Sequence, residues 1–274
     1  MSCASSPPVP EPVALEPGAE AITAVLLDLD GVLYVEDEPI PGAVEAVDAL
    51  RAQGLRLRFV TNTTSRPRRE ILARLERLGI PVATDELVTP AHLAVQHCLR
   101  AGLRHPLLLM NDRLCEDLAG LEPVERDADS VIVGDLGEAF GYAILNRAFR
   151  ELLAGAELIA LQKNRYWRTP DGLSLDVGPF VAALEYASGR EAVVVGKPAR
   201  AFFDGVLAGL DTVATAVAMV GDDVESDIGG ALRAGLAGIL VRTGKYRAEA
   251  VAASGVRPTA TVDSIAAVPE LLAH

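Results

Sequence analysis

Apolar residues occur along this chain in short, nearly continuous runs, which alternate with longer stretches where they recur every three or four positions. The run "AITAVLLDL" (21–29) is typical of a strand covered on both faces of a parallel sheet. "GAVEAVDALRAQG" then predicts a helix that ends at Gly54. "LRLRFVTN" predicts a second strand, and "SRPRREILARLERLG" a second helix with Ser65 as its N-cap and Gly79 as its end. This order predicts a right-handed β-α-β unit.

The middle of the chain continues the alternation as a separate unit. "HPLLLM", "DSVIVGD" and "AELIALQ" predict strands, and residues 90–101 and 138–153 predict helices. A strand-to-helix pattern resumes near residue 191 and repeats through "TAVAMVGDDVESDIGGALRAGLAGILVRTG". We therefore predict an α/β protein whose Rossmann-like parallel-sheet core comes from residues 19–82 and 187–274, with an α/β domain inserted at 83–186.

Composition and charge exclude several classes of protein. The chain has 274 residues, half of them apolar, which suffices for a sizeable core. Its net charge of −13 disfavours nucleic acid as a partner, and we interpret the basic run at Arg66, Arg68 and Arg69 as a solvated helical face. No apolar run reaches the roughly 18 residues of a membrane span, so no membrane partner is expected.

Cysteine usage and the N-terminal stretch bear on the compartment. The three cysteines form no CxxC pair, which favours a reducing, cytoplasmic location and disfavours a structural zinc site. Residues 1–18 contain five prolines and neither a basic region nor an apolar one. We expect a disordered tail there rather than a signal peptide.

Polar side chains follow the ends of several predicted core strands. They are Asp28, Asp30, Thr61, Asn62, Lys197, Asp222, Asp223 and Asp227. Because ligands bind outside the carboxyl ends of parallel strands, these groups are expected to converge. Carboxylates so close together repel one another, so the arrangement predicts a cation, and Mg²⁺ suits an all-oxygen site that also binds phosphate.

If the ligand is a phosphate, the polar groups other than the aspartates can bind its oxygens. Lys197 offers a positive charge to phosphate oxygens, and the Thr61 hydroxyl with the amides of Asn62 and Thr63 offers donors. One aspartate can then act as nucleophile and a second can transfer protons.

Four segments resemble a known family. "DLDGVLY", "VTN", "GKP" and "GDDVESD" look like motifs I to IV of the haloacid dehalogenase superfamily, in order and each after a predicted strand. An insert between motifs II and III is similar to the C2 cap of subclass IIA. "FVTNTT", "LDVGPFVAALEYASG" and "VRTGKYR" further resemble the branch of phospholysine phosphohistidine inorganic pyrophosphate phosphatases and their hydrolase-domain-containing relatives.

The resemblance implies a role for each motif residue. Asp28 would be the nucleophile and a Mg²⁺ ligand, and Asp30 the acid/base that also gives its backbone carbonyl to the metal. Thr61, Asn62, Thr63 and Lys197 would bind the transferring phosphoryl group, and Asp222 would bind the metal. Asp223 and Asp227 would act through waters or through Lys197. The family also implies a homodimer.

Simpler interpretations exist for several of these residues. Thr61 and Asn62 could only cap the next helix, Lys197 could lie in a surface turn, and Asp223 could be a surface or helix-capping acid. In the insert, Arg165 and Tyr166 are our candidates for substrate contacts, whereas Trp167 is interpreted as a packing residue. His92, His97, His105 and His274 have no metal-ligand spacing and are assigned to the surface or to helix packing.

The sequence therefore predicts a Mg²⁺-dependent phosphohydrolase of a small phosphorylated metabolite, pyrophosphate or an N-phosphorylated compound. A phosphotransferase of the same fold and a non-catalytic phosphate-binding regulatory protein are the alternatives. A dehalogenase needs no metal, which would leave the acids at 222–227 without a purpose. The sequence leaves the substrate open.

Overall fold

The computed structural model describes residues 21–169 and 171–273. Its strands are β1 (Ala24–Asp28), β2 (Tyr34–Val35), β3 (Glu38–Pro39), β4 (Arg56–Val60), β5 (Leu87–Val88), β6 (Pro106–Leu109), β7 (Ser130–Val133), β8 (Glu157–Ala160), β9 (Tyr166–Thr169), β10 (Gly172–Leu175), β11 (Val193–Val194), β12 (Val217–Gly221), β13 (Ala237–Val241) and β14 (Ala260–Val262). Its α-helices are α1 (Ala43–Ala52), α2 (Arg68–Arg77), α3 (Pro90–Ala101), α4 (Tyr142–Ala154), α5 (Gly178–Ser188), α6 (Arg200–Leu207), α7 (Gly230–Arg233), α8 (Ala248–Ser254) and α9 (Val268–Leu272). The predicted tail at 1–18 and His274 lie outside the described residues.

The core is a six-stranded parallel sheet in the order β14-β13-β12-β1-β4-β5. β1 lies in its centre and is buried along its whole length. Leu26 packs into the hydrophobic cluster on one face, and Val25 and Leu27 into the cluster on the other. This two-sided burial is why β1 is a continuous apolar run, and it confirms the predicted α/β class.

The insert contains a parallel sheet in the order β11-β8-β7-β6 and an antiparallel hairpin of β9 and β10. The sheets do not change at the predicted limits of the insert, 83 and 186. β5 lies after residue 82 yet pairs with β4 of the core, and β11 lies after residue 186 yet pairs with β8 of the insert. Strands of two residues have no period of their own, so only pairing assigns them to a sheet.

The insert packs directly on the core. One hydrophobic cluster contains Leu26 and Met219 of the core strands together with Ile132 and Ile159 of the insert. The space between the two sheets is therefore walled by both parts of the chain.

The start of α2 differs from the prediction. The helix begins at Arg68, with Pro67 at its N-cap position, rather than after Ser65. The residue before a proline is disfavoured in the helical conformation, so Arg66 cannot continue a helix begun at Ser65. The seven residues 61–67 consequently remain outside regular structure.

Within the described residues, no helix combines the length and hydropathy needed to cross a membrane.

Candidate active site

The carboxyl end of the core sheet opens into a cavity of about 710 Å³ between the core and the insert. The predicted site residues on its wall are Asp28, Asp30, Thr61, Asn62, Thr63, Arg165, Tyr166, Lys197, Asp223 and Asp227. Asp28 and Thr61 come from core strand ends that parallel pairing places side by side, with Asp28 of β1 opposite Val60 of β4. Lys197 follows β11 of the insert's sheet, and Tyr166 lies in the β9–β10 hairpin. The structure thus brings the separate motifs to one place.

Asp28 and Lys197 form a buried ion pair at the end of β1. The Lys197 Nζ lies 2.7 Å from Asp28 Oδ1 and 2.7 Å from Asp227 Oδ1. Burial alone would lower the pKa of Lys197, but the charges of Asp227 and Asp28 outweigh it and raise that pKa. Lys197 is only 3% exposed, so the surface-turn interpretation is wrong. Its ammonium is a permanent positive charge beside the Asp28 carboxylate.

The carboxylates of Asp28 and Asp227, which contact Lys197, form a cluster with the carboxylate of Asp222. Asp28, Asp222 and Asp227 each offer an oxygen, and these oxygens lie within 4.8 Å of one another. Burial is the main reason that the pKa of Asp28 is raised and that the pKa values of Asp222 and Asp227 rise to about 6. At neutral pH the cluster therefore carries negative charge that the protein compensates only in part.

Asp222 is the clearest sign that the cluster fits a cation. Its Oδ2 accepts a hydrogen bond of 2.7 Å from the backbone N–H of Lys245, whereas its Oδ1 is buried without a hydrogen-bond partner among the described residues. A buried, unpaired carboxylate oxygen is costly unless a proton or a cation binds it. Oxygen-only ligands in a compact cluster suit Mg²⁺.

Two glycines make room for Asp222. Gly31 has φ +85°, and a Cβ there would lie 1.9 Å from Asp222 Oδ2. Gly244 has φ +57°, and its Cβ would lie 2.0 Å from the same oxygen and 2.5 Å from the Cα of Gly31. Gly31, the glycine after Asp30, thus allows both the turn at the end of β1 and the close approach of Asp222.

Asp30 lies just beyond β1 and is exposed on the cavity wall. The turn that carries it is closed by a 2.7 Å hydrogen bond from the Gly31 N–H to the Tyr34 carbonyl. Asp28 and Asp30 therefore face the same cavity from different environments, one buried and ion-paired, the other in solvent. A role of the Asp30 carbonyl toward the metal stays a prediction.

The residues after β4 hold Lys197 and offer polar groups to the cavity. Asn62 Nδ2 donates to the Lys197 carbonyl at 2.9 Å, and Asn62 Oδ1 accepts from the Lys197 N–H at 2.8 Å. The Thr63 N–H donates to Thr61 Oγ1 at 3.0 Å. Because α2 begins only at Arg68, Thr61 and Asn62 do not cap it, and the capping-only interpretation is wrong.

Asp223 and Asp227 behave differently. Asp223 Oδ1 accepts from the N–H groups of Glu225 and Ser226 at 3.1 and 3.0 Å, so it caps the π-helical turn Val224–Gly229 as the simpler interpretation expected. Asp227 is buried and binds Lys197, the contact that the sequence expectation named, and it also belongs to the carboxylate cluster.

The insert contributes aromatic and basic groups to the cavity. Arg165, Tyr166 and Trp167 line it, and the Arg165 guanidinium lies 5.8 Å from the centre of the Tyr166 ring. Trp167 is 56% exposed, so it is not the packing residue that we expected. Trp167 lies on the two-stranded β9–β10 hairpin, and a hairpin of this size does not form a core that could bury an indole.

The described histidines lie away from this cavity, as expected. His92 contacts Gln96, His97 contacts Glu157, and His105 lies 3.6 Å from both Glu122 and Asp129.

Lys245 is a cavity residue that the sequence reasoning did not assign. It lies after β13 in the segment "VRTGKYR", and it lines the cavity beside Asp223. The available signal was its position just past the carboxyl end of a predicted core strand, the same signal that identified the other motifs.

Comparison with known proteins agrees with this geometry. The family model described as haloacid dehalogenase-like hydrolase matches residues 25–122, and a second model of HAD-like hydrolases matches residues 194–268. Haloacid dehalogenase-like hydrolase domain-containing protein 2 of Homo sapiens is 44% identical to this chain, over 93% of this chain and 97% of that protein. The chain belongs to the haloacid dehalogenase-like hydrolases.

Two further relatives in this family indicate the kind of reaction. Phospholysine phosphohistidine inorganic pyrophosphate phosphatase of Homo sapiens is 39% identical over 92% of this chain and 94% of that protein. The crystal structure of a Mycobacterium tuberculosis glycerol phosphate phosphatase in complex with magnesium superposes with a TM-score of 0.76 at 32% identity, covering 92% of this chain and 76% of that one. The chain is a phosphatase of the haloacid dehalogenase type.

Proposed function

We propose that this phosphatase is Mg²⁺-dependent and acts through a phosphoryl group bound covalently to Asp28. Its substrates would be small phosphorylated metabolites, pyrophosphate or N-phosphorylated compounds. The observation that carries the proposal is the position of Asp28, paired with Lys197 at 2.7 Å and grouped with two further carboxylates within 4.8 Å.

Asp28 and Asp222 would hold the metal ion, with Asp227 close enough to take part. When bound, Mg²⁺ supplies positive charge that offsets the carboxylates and the phosphate oxygens. Two observations support this assignment: Asp222 Oδ1 is unpaired among the described residues, and the pKa values of Asp222 and Asp227 are raised to about 6. A bound cation would pair with that oxygen and would stabilise the ionised form of both carboxylates.

Asp28 would attack phosphorus with Oδ2, since Lys197 holds Oδ1. A bond forms between this oxygen and phosphorus while the bond from phosphorus to the leaving oxygen or nitrogen breaks. Asp30 gives its proton to the leaving atom, which keeps the bonding electron pair. Lys197 offsets the charge that builds up on the phosphoryl oxygens.

A water molecule would then complete the cycle. Asp30 removes a proton from the water as its oxygen bonds to phosphorus, and the bond between phosphorus and Asp28 breaks. Inorganic phosphate leaves, and both aspartates regain their starting protonation states.

The alternatives differ in the acceptor or in turnover itself. A phosphotransferase would replace water with another hydroxyl at the second step, and a regulatory protein would bind phosphate without releasing it. Asp28, whose Oδ2 takes no part in the hydrogen bond to Lys197, and Asp30 on the cavity wall favour turnover over simple binding. The expected homodimer, the absence of a nucleic-acid partner and the cytoplasmic location remain predictions.

The test is phosphate release from p-nitrophenyl phosphate, pyrophosphate and a panel of metabolites, with Mg²⁺ and with EDTA. We expect activity only with Mg²⁺, and none above background for Asp28→Asn. Asp48→Asn makes the same chemical change on the exposed face of α1 and should leave activity intact. Full activity in EDTA, or in folded Asp28→Asn, would contradict the mechanism.

A further inference from the structure

The three lysine side chains that line the cavity differ in how many of their N–H donors the protein already binds. Lys163 Nζ contacts both carboxylate oxygens of Glu185, at 2.8 and 2.6 Å. Lys197 donates a hydrogen bond to Asp28 Oδ1, and its Nζ also lies 2.7 Å from Asp227 Oδ1. The Lys245 ammonium, by contrast, has no hydrogen-bond partner among the described residues. Lys245 belongs to the core part of the chain, and the N–H donors of its ammonium group are therefore available to a ligand.

The main chain around Lys245 is held in place at several points. The Lys245 N–H donates to Asp222 Oδ2 at 2.7 Å, and Thr243 Oγ1 donates to the Gly31 carbonyl. Between them, Gly244 packs so closely on Gly31 that a Cβ would lie 2.5 Å from the Gly31 Cα. The backbone of Lys245 is thus tied to both aspartate motifs, whereas 67% of its side chain is exposed.

The carboxylate nearest to Lys245 does not engage it strongly. Asp223 Oδ2 lies 3.8 Å from Lys245 Nζ, beyond hydrogen-bond distance, and Asp223 Oδ1 already caps the Val224–Gly229 turn. An exposed ion pair of this kind contributes roughly 0–1 kcal/mol. Lys245 can therefore exchange Asp223 for an anionic oxygen of a ligand at small cost.

Pyrophosphate needs more positive charge than one phosphoryl group. The Lys197 ammonium already lies 2.7 Å from the carboxylates of both Asp28 and Asp227, so beyond the transferring group it has little capacity for a second phosphate. On the core side of the cavity, Lys245 is the ammonium group that is left for that second phosphate.

We propose that Lys245 binds the anionic group beyond the transferring phosphoryl group, and so favours substrates with two adjacent anionic groups, such as pyrophosphate. This inference rests on the proposed phosphohydrolase function. It makes Lys245 a substrate-binding residue that discriminates between substrates, with the charge and the reach of its side chain as the cause.

The first test compares two substrates in Lys245→Met. We expect kcat/KM for pyrophosphate to fall about 10-fold or more, mainly through KM, because a charged hydrogen bond is lost. For p-nitrophenyl phosphate, whose nitrophenyl group is uncharged in the bound substrate, kcat/KM should change less than about 2-fold. Lys245→Arg, which keeps the charge, should recover much of the pyrophosphate activity. Equal losses on both substrates, or no loss on either, would overturn the proposal.

Lys163→Met is the matched comparison, because it removes the same charge from the wall of the same cavity. Its ammonium is already neutralised by Glu185, so the loss with pyrophosphate should be clearly smaller than for Lys245→Met. An equal, pyrophosphate-specific loss would attribute the effect to net charge rather than to a contact of Lys245, and would also overturn the proposal.

A binding measurement separates this inference from the proposed function. Calorimetry with Asp28→Asn and Mg²⁺ measures pyrophosphate and phosphate affinity without turnover. Adding Lys245→Met should weaken pyrophosphate about 10-fold and phosphate little. If Asp28→Asn is inactive and adding Lys245→Met leaves its pyrophosphate affinity unchanged, the inference alone is refuted. A fully active Asp28→Asn would refute the proposed function.

Discussion

Replacing Asp222 with asparagine should stabilise the metal-free protein while abolishing its response to Mg²⁺. The Asp222 pKa is raised from 3.8 to about 6, first of all by burial. A carboxyl group that is harder to ionise in the folded state than in the unfolded chain lowers the free energy of unfolding as pH rises from 3.8 through about 6. Above about pH 6 the ionised Asp222 lowers the free energy of unfolding by its full amount. Replacing Asp222 with the uncharged asparagine removes this destabilisation.

The magnitude follows from the size of the shift. About two pKa units at roughly 1.4 kcal/mol each amount to about 3 kcal/mol at neutral pH. Asparagine can still accept the hydrogen bond from the Lys245 N–H, so little else is lost. For a domain of this size about 3 kcal/mol corresponds to a rise of roughly 5–10 °C in Tm.

Thermal and chemical unfolding in EDTA at pH 7.5 and pH 5 would measure this effect. Asp222→Asn should be more stable than wild type at pH 7.5, with a smaller advantage at pH 5, where wild-type Asp222 is largely protonated. Adding Mg²⁺ should raise the Tm of the wild type and have little effect on the variant. Asp223→Asn makes the same change at a neighbouring helix cap and should alter neither stability nor the Mg²⁺ response by much. An Asp222→Asn protein that is no more stable than wild type in EDTA would refute the reasoning.

Further predictions concern proton competition and the anchoring of Lys197. The proposed Mg²⁺ site requires the ionised forms of Asp222 and Asp227, whose pKa values are about 6. The Mg²⁺ concentration for half-maximal activity should therefore rise as pH falls below about 6, and a pH-independent value would contradict this. Asn62→Ala removes both hydrogen bonds to the Lys197 main chain, so kcat should fall at least 10-fold and stability by about 1–3 kcal/mol; kcat equal to wild type in steady-state assays would show that Lys197 is positioned without them.

Much of the fold could be predicted because its signals are local. The apolar run that became β1 is continuous since both of its faces are buried, and the glycines at 54 and 79 follow helices with φ of +79° each. The two-residue strands β5 and β11 carry no such signal, so the predicted limits of the insert differ from the positions where the chain changes sheet. The start of α2 differs from the prediction because Pro67 disfavours the helical conformation at Arg66, and this outweighs the N-cap preference of Ser65.

The candidate site divides in the same way. Asp28, Thr61 and Asp222 can be identified from the sequence because each lies at the end of an apolar core strand, and a parallel sheet brings these ends to one edge. Lys197 follows β11, which belongs to the insert's sheet, so its place in the site depends on how the insert packs on the core. The exposure of Trp167 was not identifiable, because burial of an aromatic residue depends on what packs behind its hairpin.

By itself the sequence determined the kinds of element, their order and the chemical groups at the strand ends, since these depend on residue type and on short-range periodicity. Only the tertiary structure decided how those groups share their charges. Lys197 bridges Asp28 and Asp227, Asp222 keeps one oxygen unpaired within the described residues, and the Lys245 amide binds Asp222 while its ammonium lies 3.8 Å from Asp223. Such pairings join residues up to 169 positions apart, and distances of a few ångströms between them are set by packing alone.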